Sequence, residues 1–223
     1  MGKTIGFQRR VPKNSTRKFK LQLNREQKEV KKLIFDNAVT VIKGNAGSGK
    51  TLVACQTALD SLFSKQIDSI VITRPTVSKE EIGFLPGDLR EKMDPWVSPI
   101  YANMYNLVEK HEIDFIIAEG KIEIVPVSFM RGRTFINSIV IVDEAQNITH
   151  DQMEMILSRL GTGSKMIICG DLRQTDLKNP EDTGFGFLNR INGSVPEFKI
   201  CELKKNHRHH IVTKILKAYS DLT

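Results

Sequence analysis

Apolar residues along this chain fall into short unbroken runs, separated by stretches where they recur every three or four positions. Ala38 to Ile42, Asp68 to Thr73, Ser138 to Val142 and Ser164 to Cys169 are such runs. Their length and β-branched content predict strands buried on both faces. Lys121 to Pro126 alternates like a half-exposed strand, and Glu197 to Leu203 predicts a further short one. Helical spacing marks Leu23 to Asp36, with Val30, Leu33 and Ile34 on one face. It also marks Thr51 to Phe63, Thr149 to Leu160, and His209 to Leu222 with Ile211, Ile215 and Leu216 inward. Asn24 with Gln27, and Thr149 with Gln152, have the spacing of capping boxes. Asp94-Pro95-Trp96 predicts the start of a helix running to about Lys110. Strands that alternate with helices predict an α/β fold of three layers, with a mostly parallel central sheet.

The junction of the first strand and the second helix reads Gly44-Asn45-Ala46-Gly47-Ser48-Gly49-Lys50-Thr51. It fits the phosphate-loop template, in which backbone N–H groups at a helix N-terminus cradle phosphates. In that reading residues 44–49 wrap the phosphates, Lys50 reaches the β- and γ-phosphates, and the Thr51 hydroxyl holds Mg²⁺. The bland alternative is a glycine-rich turn that binds nothing. The strand on one side and the helix on the other argue against it. Ile139 to Val142 then ends in Asp143-Glu144, two acids at the end of an apolar strand. Asp143 is the second candidate for Mg²⁺, and Glu144 for accepting a proton from the attacking water. The next strand closes on Gly170-Asp171-Leu172-Arg173-Gln174. Asp171 and Gln174 are candidates for sensing the γ-phosphate, against the alternative of a polar turn. ATP and Mg²⁺ are the ligands these patterns imply.

Composition narrows the class. The 223 residues suit one α/β domain, and 40% hydrophobic with 26% charged residues is ordinary for a globular chain. No apolar run approaches membrane-spanning length. Cys55, Cys169 and Cys201 are isolated, so a reducing, cytoplasmic setting with buried thiols is expected. The net charge of +7 is unevenly placed. Residues 1–20 hold Lys3, Arg9, Arg10, Lys13, Arg17, Lys18 and Lys20 and no acid, and the remaining Lys and Arg balance the acids. Residues 1–20 therefore read as a basic flexible tail and 21–223 as a single domain with an insertion at about 74–110. A nucleic-acid-binding arm and a merely solvated end both fit the tail.

Several motifs together carry a resemblance. Thr73-Arg74-Pro75, Gly83-Phe84-Leu85-Pro86-Gly87, Met130-Arg131-Gly132-Arg133-Thr134 and Asp143-Glu144-Ala145-Gln146-Asn147 resemble the PhoH family, in order, within a match from Leu23 to Tyr219. Its members are phosphate-loop ATPases similar to the N-terminal core of superfamily-one helicases. The resemblance implies a RecA-like fold, ATP hydrolysis, a link to RNA or single-stranded nucleic acid, and a homo-oligomer such as a hexameric ring. Asp171 and Gln174 fall on the helicase-like Gly-Asp-x-x-Gln motif. Gln27 has two readings: the helix-capping partner of Asn24, or the glutamine that reads adenine in helicase-like ATPases. Arg208 matches the family's late arginine, although Lys205-Asn206 departs from the pattern before it. It is the candidate for a group donated to a neighbouring subunit's γ-phosphate, against an ion pair within its own subunit.

Some readings stay open. Arg74, Arg131 and Arg133 suit either nucleic-acid phosphates or internal ion pairs. His207, His209 and His210 lack a matching acid or cysteine and read as helix-start residues rather than metal ligands. Two other functions compete with a nucleic-acid-coupled ATPase: an ATP-gated switch for a protein partner, and a thymidine-kinase-like enzyme. Such kinases share Asp-Glu-Ala-Gln but usually carry paired-cysteine zinc sites.

Overall fold

The apolar runs become the strands of one sheet. In the computed structural model the described residues are 17–75, 89–177, 183–208 and 210–220. In order they form α1 (Arg25–Asp36), β1 (Val39–Gly44), α2 (Lys50–Phe63), β2 (Ser69–Thr73), α3 (Leu89–Leu107), α4 (Lys110–Ala118) and β3 (Ile122–Ile124). Then come β4 (Ser138–Val142), α5 (His150–Leu157), β5 (Lys165–Gly170), α6 (Gly184–Phe187), β6 (Phe198–Leu203) and α7 (His210–Ser220). Tight 3₁₀ turns at Val127–Phe129, Ala145–Asn147 and Leu172–Gln174 follow β3, β4 and β5.

The strand order is β3-β2-β4-β5-β1-β6, and every pairing is parallel. All the carboxyl ends of the strands therefore lie along one edge. The chain leaves β1 toward β2 on one side and finishes on β6 on the other. The carboxyl end of β1 is thus a switch point, where open α/β sheets bind ligands.

Alternation along the strands feeds two cores. Ile42, Ile70, Ile72, Ile139 and Ile141 pack under α1 to α4, with Val30, Ile34, Leu59, Ile100 and Met104. Val41, Val71, Val140 and Val142 point the other way, onto Met153, Ile156, Phe185 and Leu188. Both capping boxes form: Asn24 accepts from the Gln27 N–H while the Gln27 side chain accepts from the Asn24 N–H, and Thr149 and Gln152 repeat the pattern. Each cap contributes about 1 kcal/mol to its helix.

Several expectations are corrected. The helix expected from Asp94 begins earlier, at Leu89, and continues through Pro95 and Pro99. Burial of Ile100, Met104 and Leu107 outweighs the cost of the prolines. Lys110–Ala118 is a second helix that helical spacing did not mark, with Ile113 and Ile116 buried. Residues 17–20 are not loose: Phe19 is buried, Arg17 pairs with Glu112 and stacks on Phe63, and the Lys20 N–H donates to Leu107 O. Ile211 and Ile215 of α7 face outward, at 47% and 59% exposure, although helical spacing placed them inward. Periodicity identifies an apolar face but not what covers it. Lys3, Arg9, Arg10, Lys13, Gly83-Phe84-Leu85-Pro86-Gly87, His209 and the Leu216 side chain lie outside the described residues. No described helix is long and apolar enough to cross a membrane.

Candidate functional site

The loop between β1 and α2 is built around an uncapped helix end. The Ser48 N–H donates to Asn45 O at 3.1 Å and closes the turn. Gly49, at φ 87°, is the N-cap of α2, and no side chain caps this helix. Its first-turn N–H groups are therefore left for an anion. A Cβ at Gly49 would lie 2.6 Å from Gln27 Nε2, and at Gly47 (φ 82°) it would lie 2.7 Å from Arg208 Cγ. Lys50 Nζ donates to Gly44 O at 2.6 Å and Asn45 O at 3.2 Å, so its ammonium folds across the loop. Asn45 is exposed, Ala46 half-buried and Ser48 buried. Gln27, also buried, donates from Nε2 to Ser48 O at 3.4 Å and accepts from the Asn24 N–H at 3.1 Å. Its amide thus performs the capping role and touches the phosphate loop at once.

Asp143 follows β4 and is buried. Thr51 Oγ1 donates to Asp143 Oδ1 at 2.9 Å, joining the phosphate loop to the end of β4. Burial, then the Glu144 charge, push the Asp143 carboxyl above its usual range; the Thr51 hydroxyl bond and Arg74 pull it back. A hydroxyl and a carboxylate held this way suit Mg²⁺, which takes one or two protein oxygens and fills its shell with water and phosphate. Burial also pushes up the thiols of Cys55 and Cys169, with Asp143 adding to both, and that of Cys201 to about 12. These thiols are poor nucleophiles.

Glu144 takes a left-handed backbone, φ 50°, which costs on the order of 1 kcal/mol for a non-glycine residue. This turn breaks the strand's alternation, so neighbouring acids need not face opposite ways. Arg74 Nη2 lies 3.2 Å from Glu144 Oε1. Gln146 Nε2 donates to Glu144 Oε2 at 2.7 Å and to Gln174 O at 3.3 Å, and Gln146 Oε1 accepts from the Asp171 N–H at 3.1 Å. Gln146, 1% exposed, therefore ties the strand-end acid to the turn after β5. In the sequence Gln146 stands out only as part of the Asp143-to-Asn147 motif, an amide two residues beyond Glu144. Asp171 is buried, and its Oδ1 accepts from Arg173 N at 3.2 Å and Nε at 3.3 Å. The Gln174 side chain is exposed.

The segment after β6 closes over the loop. Its start is held by Glu26, which accepts from the Lys204 and Lys205 N–H groups at 2.8 and 3.3 Å. The His207 N–H donates to Gly47 O at 2.9 Å, and Asn24 Nδ2 donates to His207 Nε2 at 2.9 Å. Arg208 comes against Gly47 of its own chain. Its side chain has no ion pair among the described residues, and its own subunit's phosphate loop is the neighbour this chain gives it. His210 opens α7. No group of three or more His, Cys, Asp or Glu among the described residues is placed to hold a metal ion.

A parallel sheet in which β5 separates β1 from β4, with a glycine cradle on β1 and paired acids on β4, defines a RecA-like phosphate-loop NTPase core. The family model described as PhoH-like protein matches residues 21–220, and the chain belongs to the PhoH family. A PhoH-like protein of Synechocystis is 43% identical over 196 residues, 86% of this chain and 60% of the relative. One from Bacillus subtilis is 42% identical over 179 residues, 79% of this chain and 56% of its own. Protein PhoH of Escherichia coli is 40% identical over 160 residues, 70% and 45%. The chain thus spans about half of these relatives' length. Among solved structures, the Pif1 helicase of Candida albicans is similar over 91% of this chain and 44% of its own, with 16% identity and a TM-score of 0.48.

Proposed function

We propose that this chain binds ATP with Mg²⁺ at the carboxyl end of β1, hydrolyses it, and couples hydrolysis to RNA or single-stranded nucleic acid. One observation carries the reading most directly: the 2.9 Å hydrogen bond from Thr51 to buried Asp143. It joins the phosphate loop to the strand-end acid where a triphosphate and its cation would meet. Lys50 would exchange the Gly44 and Asn45 carbonyls for phosphate oxygens. The free N–H groups of α2 would donate to the same chain of phosphates. Bound Mg²⁺, held by Thr51 and Asp143, would neutralise charge on the β- and γ-phosphates. Glu144 would take a proton from water as the water oxygen bonds to the γ-phosphorus and the bond to the bridging oxygen breaks, releasing ADP. For that step Arg74 has to give up Glu144 Oε1, while Gln146 keeps Oε2 aimed.

Phosphate release measured with and without single-stranded RNA or DNA tests the whole reading. Turnover that rises with nucleic acid is expected. No turnover under any condition would defeat the ATPase reading. Turnover indifferent to nucleic acid would favour the protein-partner switch. Consumption of ATP only with a nucleoside acceptor would favour the kinase.

A further inference from the structure

Three arginines could have met nucleic-acid phosphates, and the structure sorts them. Arg74 is engaged with Glu144. Arg133 forms a bidentate pair with Glu123, at 2.7 Å on each arm. Arg131 is exposed and has no ion pair among the described residues. Two residues before it, Phe129 is 58% exposed.

A single exposed phenylalanine is ordinary on a protein surface. Three features set this one apart. First, it is held rigidly. The 3₁₀ turn Val127–Phe129 follows the carboxyl end of β3, with Val127 and Met130 buried on either side of the exposed positions. The Phe129 N–H donates to Pro126 O and the Arg133 N–H to Met130 O. Second, its ring is unoccupied. Phe63 has Arg17 over its face, Phe135 has Arg133, and Phe187 has Arg190. Phe129 has no ring or cation contact among the described residues. Third, its surroundings are basic. Arg159 Nη1 donates to Arg133 O at 3.2 Å, so three guanidiniums with Glu123 as their described counter-ion gather around this loop. Phe115, exposed to a similar degree, instead sits on α4 among Glu112, Asp114 and Glu119.

We infer that Phe129 and Arg131 form a contact for single-stranded nucleic acid, with one base stacked on the Phe129 ring and an adjacent phosphate on the Arg131 guanidinium. The inference rests on the nucleic-acid reading above and gives it a place. The chemistry is an aromatic face with a cation at nucleotide reach, which suits any base and reads no sequence. The loop follows β3, and β3 pairs with β2, the strand that ends beside Arg74 and hence Glu144. A strand bound here would lie along the edge of the sheet that carries the nucleotide site.

The test uses the full chain and 20-nucleotide oligo-U and oligo-dT, each with one 2-aminopurine, near physiological salt so that the basic N-terminal residues contribute less. Phe129→Leu should weaken binding by roughly 5- to 150-fold, the worth of one stacked base. It should also abolish the 2-aminopurine quenching that accompanies stacking. Arg131→Ala should lower the salt slope of binding by about 1. Both variants should keep the melting temperature and the phosphate release measured without nucleic acid. Comparing the two oligomers shows whether RNA or DNA is the better ligand. Wild-type binding that neither variant changes would overturn this contact and leave the nucleic-acid reading standing. A wild type that hydrolyses ATP but binds neither oligomer at any salt would overturn the nucleic-acid reading itself, and this contact with it.

Discussion

The phosphate-loop crevice and the loop after β3 lie at the same end of the sheet and are built on opposite plans. In the crevice the side chains assigned to the chemistry are already paired, although the buried Ser48 hydroxyl has no hydrogen-bond partner among the described residues. Lys50 caps carbonyls of its own loop, Thr51 holds Asp143, Gln27 holds Ser48, and Gln146 holds three groups at once. After β3 an aromatic ring and a guanidinium are left to solvent on a rigid turn. Preorganised polar networks serve chemistry, because the charges need not reorganise during the reaction. An unoccupied aromatic and cation serve binding, because their contacts form only when a ligand arrives. Substitutions in the crevice should therefore change turnover, and substitutions after β3 should change affinity.

The largest effects are expected at the two ends of the crevice. Lys50→Ala should remove most nucleotide binding, read by calorimetry. Glu144→Gln should keep binding and lower kcat by about 10²–10⁴-fold, the usual size of a general-base contribution. Its amide offers one acceptor to two donors, Arg74 and Gln146, so a fall in melting temperature should accompany the loss. Turnover of Glu144→Gln near that of the wild type would remove Glu144 from the chemistry.

Gln146 should come next. Gln146→Leu keeps the volume but leaves the Asp171 N–H buried without its acceptor, and Glu144 Oε2 without its donor. An orphaned buried group costs roughly 1–3 kcal/mol. If that cost falls on the aim of Glu144, kcat should drop by roughly 10- to 100-fold with KM little changed. A loss confined to melting temperature, with kcat intact, would make Gln146 structural only.

The two regions also differ in how legible they were. The cradle could be read because its chemistry is local: glycines, Lys50 and Thr51 are consecutive, and Asp143-Glu144 close an unmistakable apolar strand. Buried parallel strands announce themselves because both faces need apolar side chains. What escaped was whatever depends on residues far apart in the chain. Gln146 matters through Asp171 and Gln174, and Arg208 through Gly47, and neither pairing leaves a mark on sequence spacing. The α4 helix was missed because its apolar stretch is short, and the true start of α3 because Asp94-Pro95 mimics a helix start. Arg74, Arg131 and Arg133 read alike in sequence, because the pairing of Arg74 with Glu144 and of Arg133 with Glu123 depends on the fold.

A smaller effect, of opposite sign, is expected at Asp143. Its folded pKa is raised above the ordinary carboxylate value, mainly by burial. The native state is therefore favoured at low pH, and that advantage is lost as pH rises through the folded value. Above the folded value the ionised carboxylate is held at a cost, so Asp143→Asn should raise the melting temperature of the protein measured there in EDTA without nucleotide. Each kcal/mol recovered reads as roughly 2–4 °C for a chain of this length. The same variant should lose any stabilisation that Mg²⁺ with ATP gives the wild type. A fall in melting temperature would mean that the Thr51 bond outweighs the burial cost.

The smallest effect is expected where the two regions are most unlike, at the Arg133–Glu123 pair. The bond is bidentate, yet both side chains are more than a third exposed, at 40% and 46%. Water screens such a pair, and its worth is about 0.2–1 kcal/mol. Arg133→Ala should therefore lower the melting temperature by no more than about 4 °C and leave basal turnover unchanged. It also frees Glu123 beside the proposed Phe129–Arg131 contact, bringing an uncompensated negative charge near a phosphate. Affinity for single-stranded nucleic acid should fall, and most steeply at low salt, where screening is weakest. Glu123→Gln should do the reverse and tighten binding slightly. If both variants instead alter kcat, the loop after β3 belongs to the reaction rather than to binding, and the contrast between the two regions is wrong.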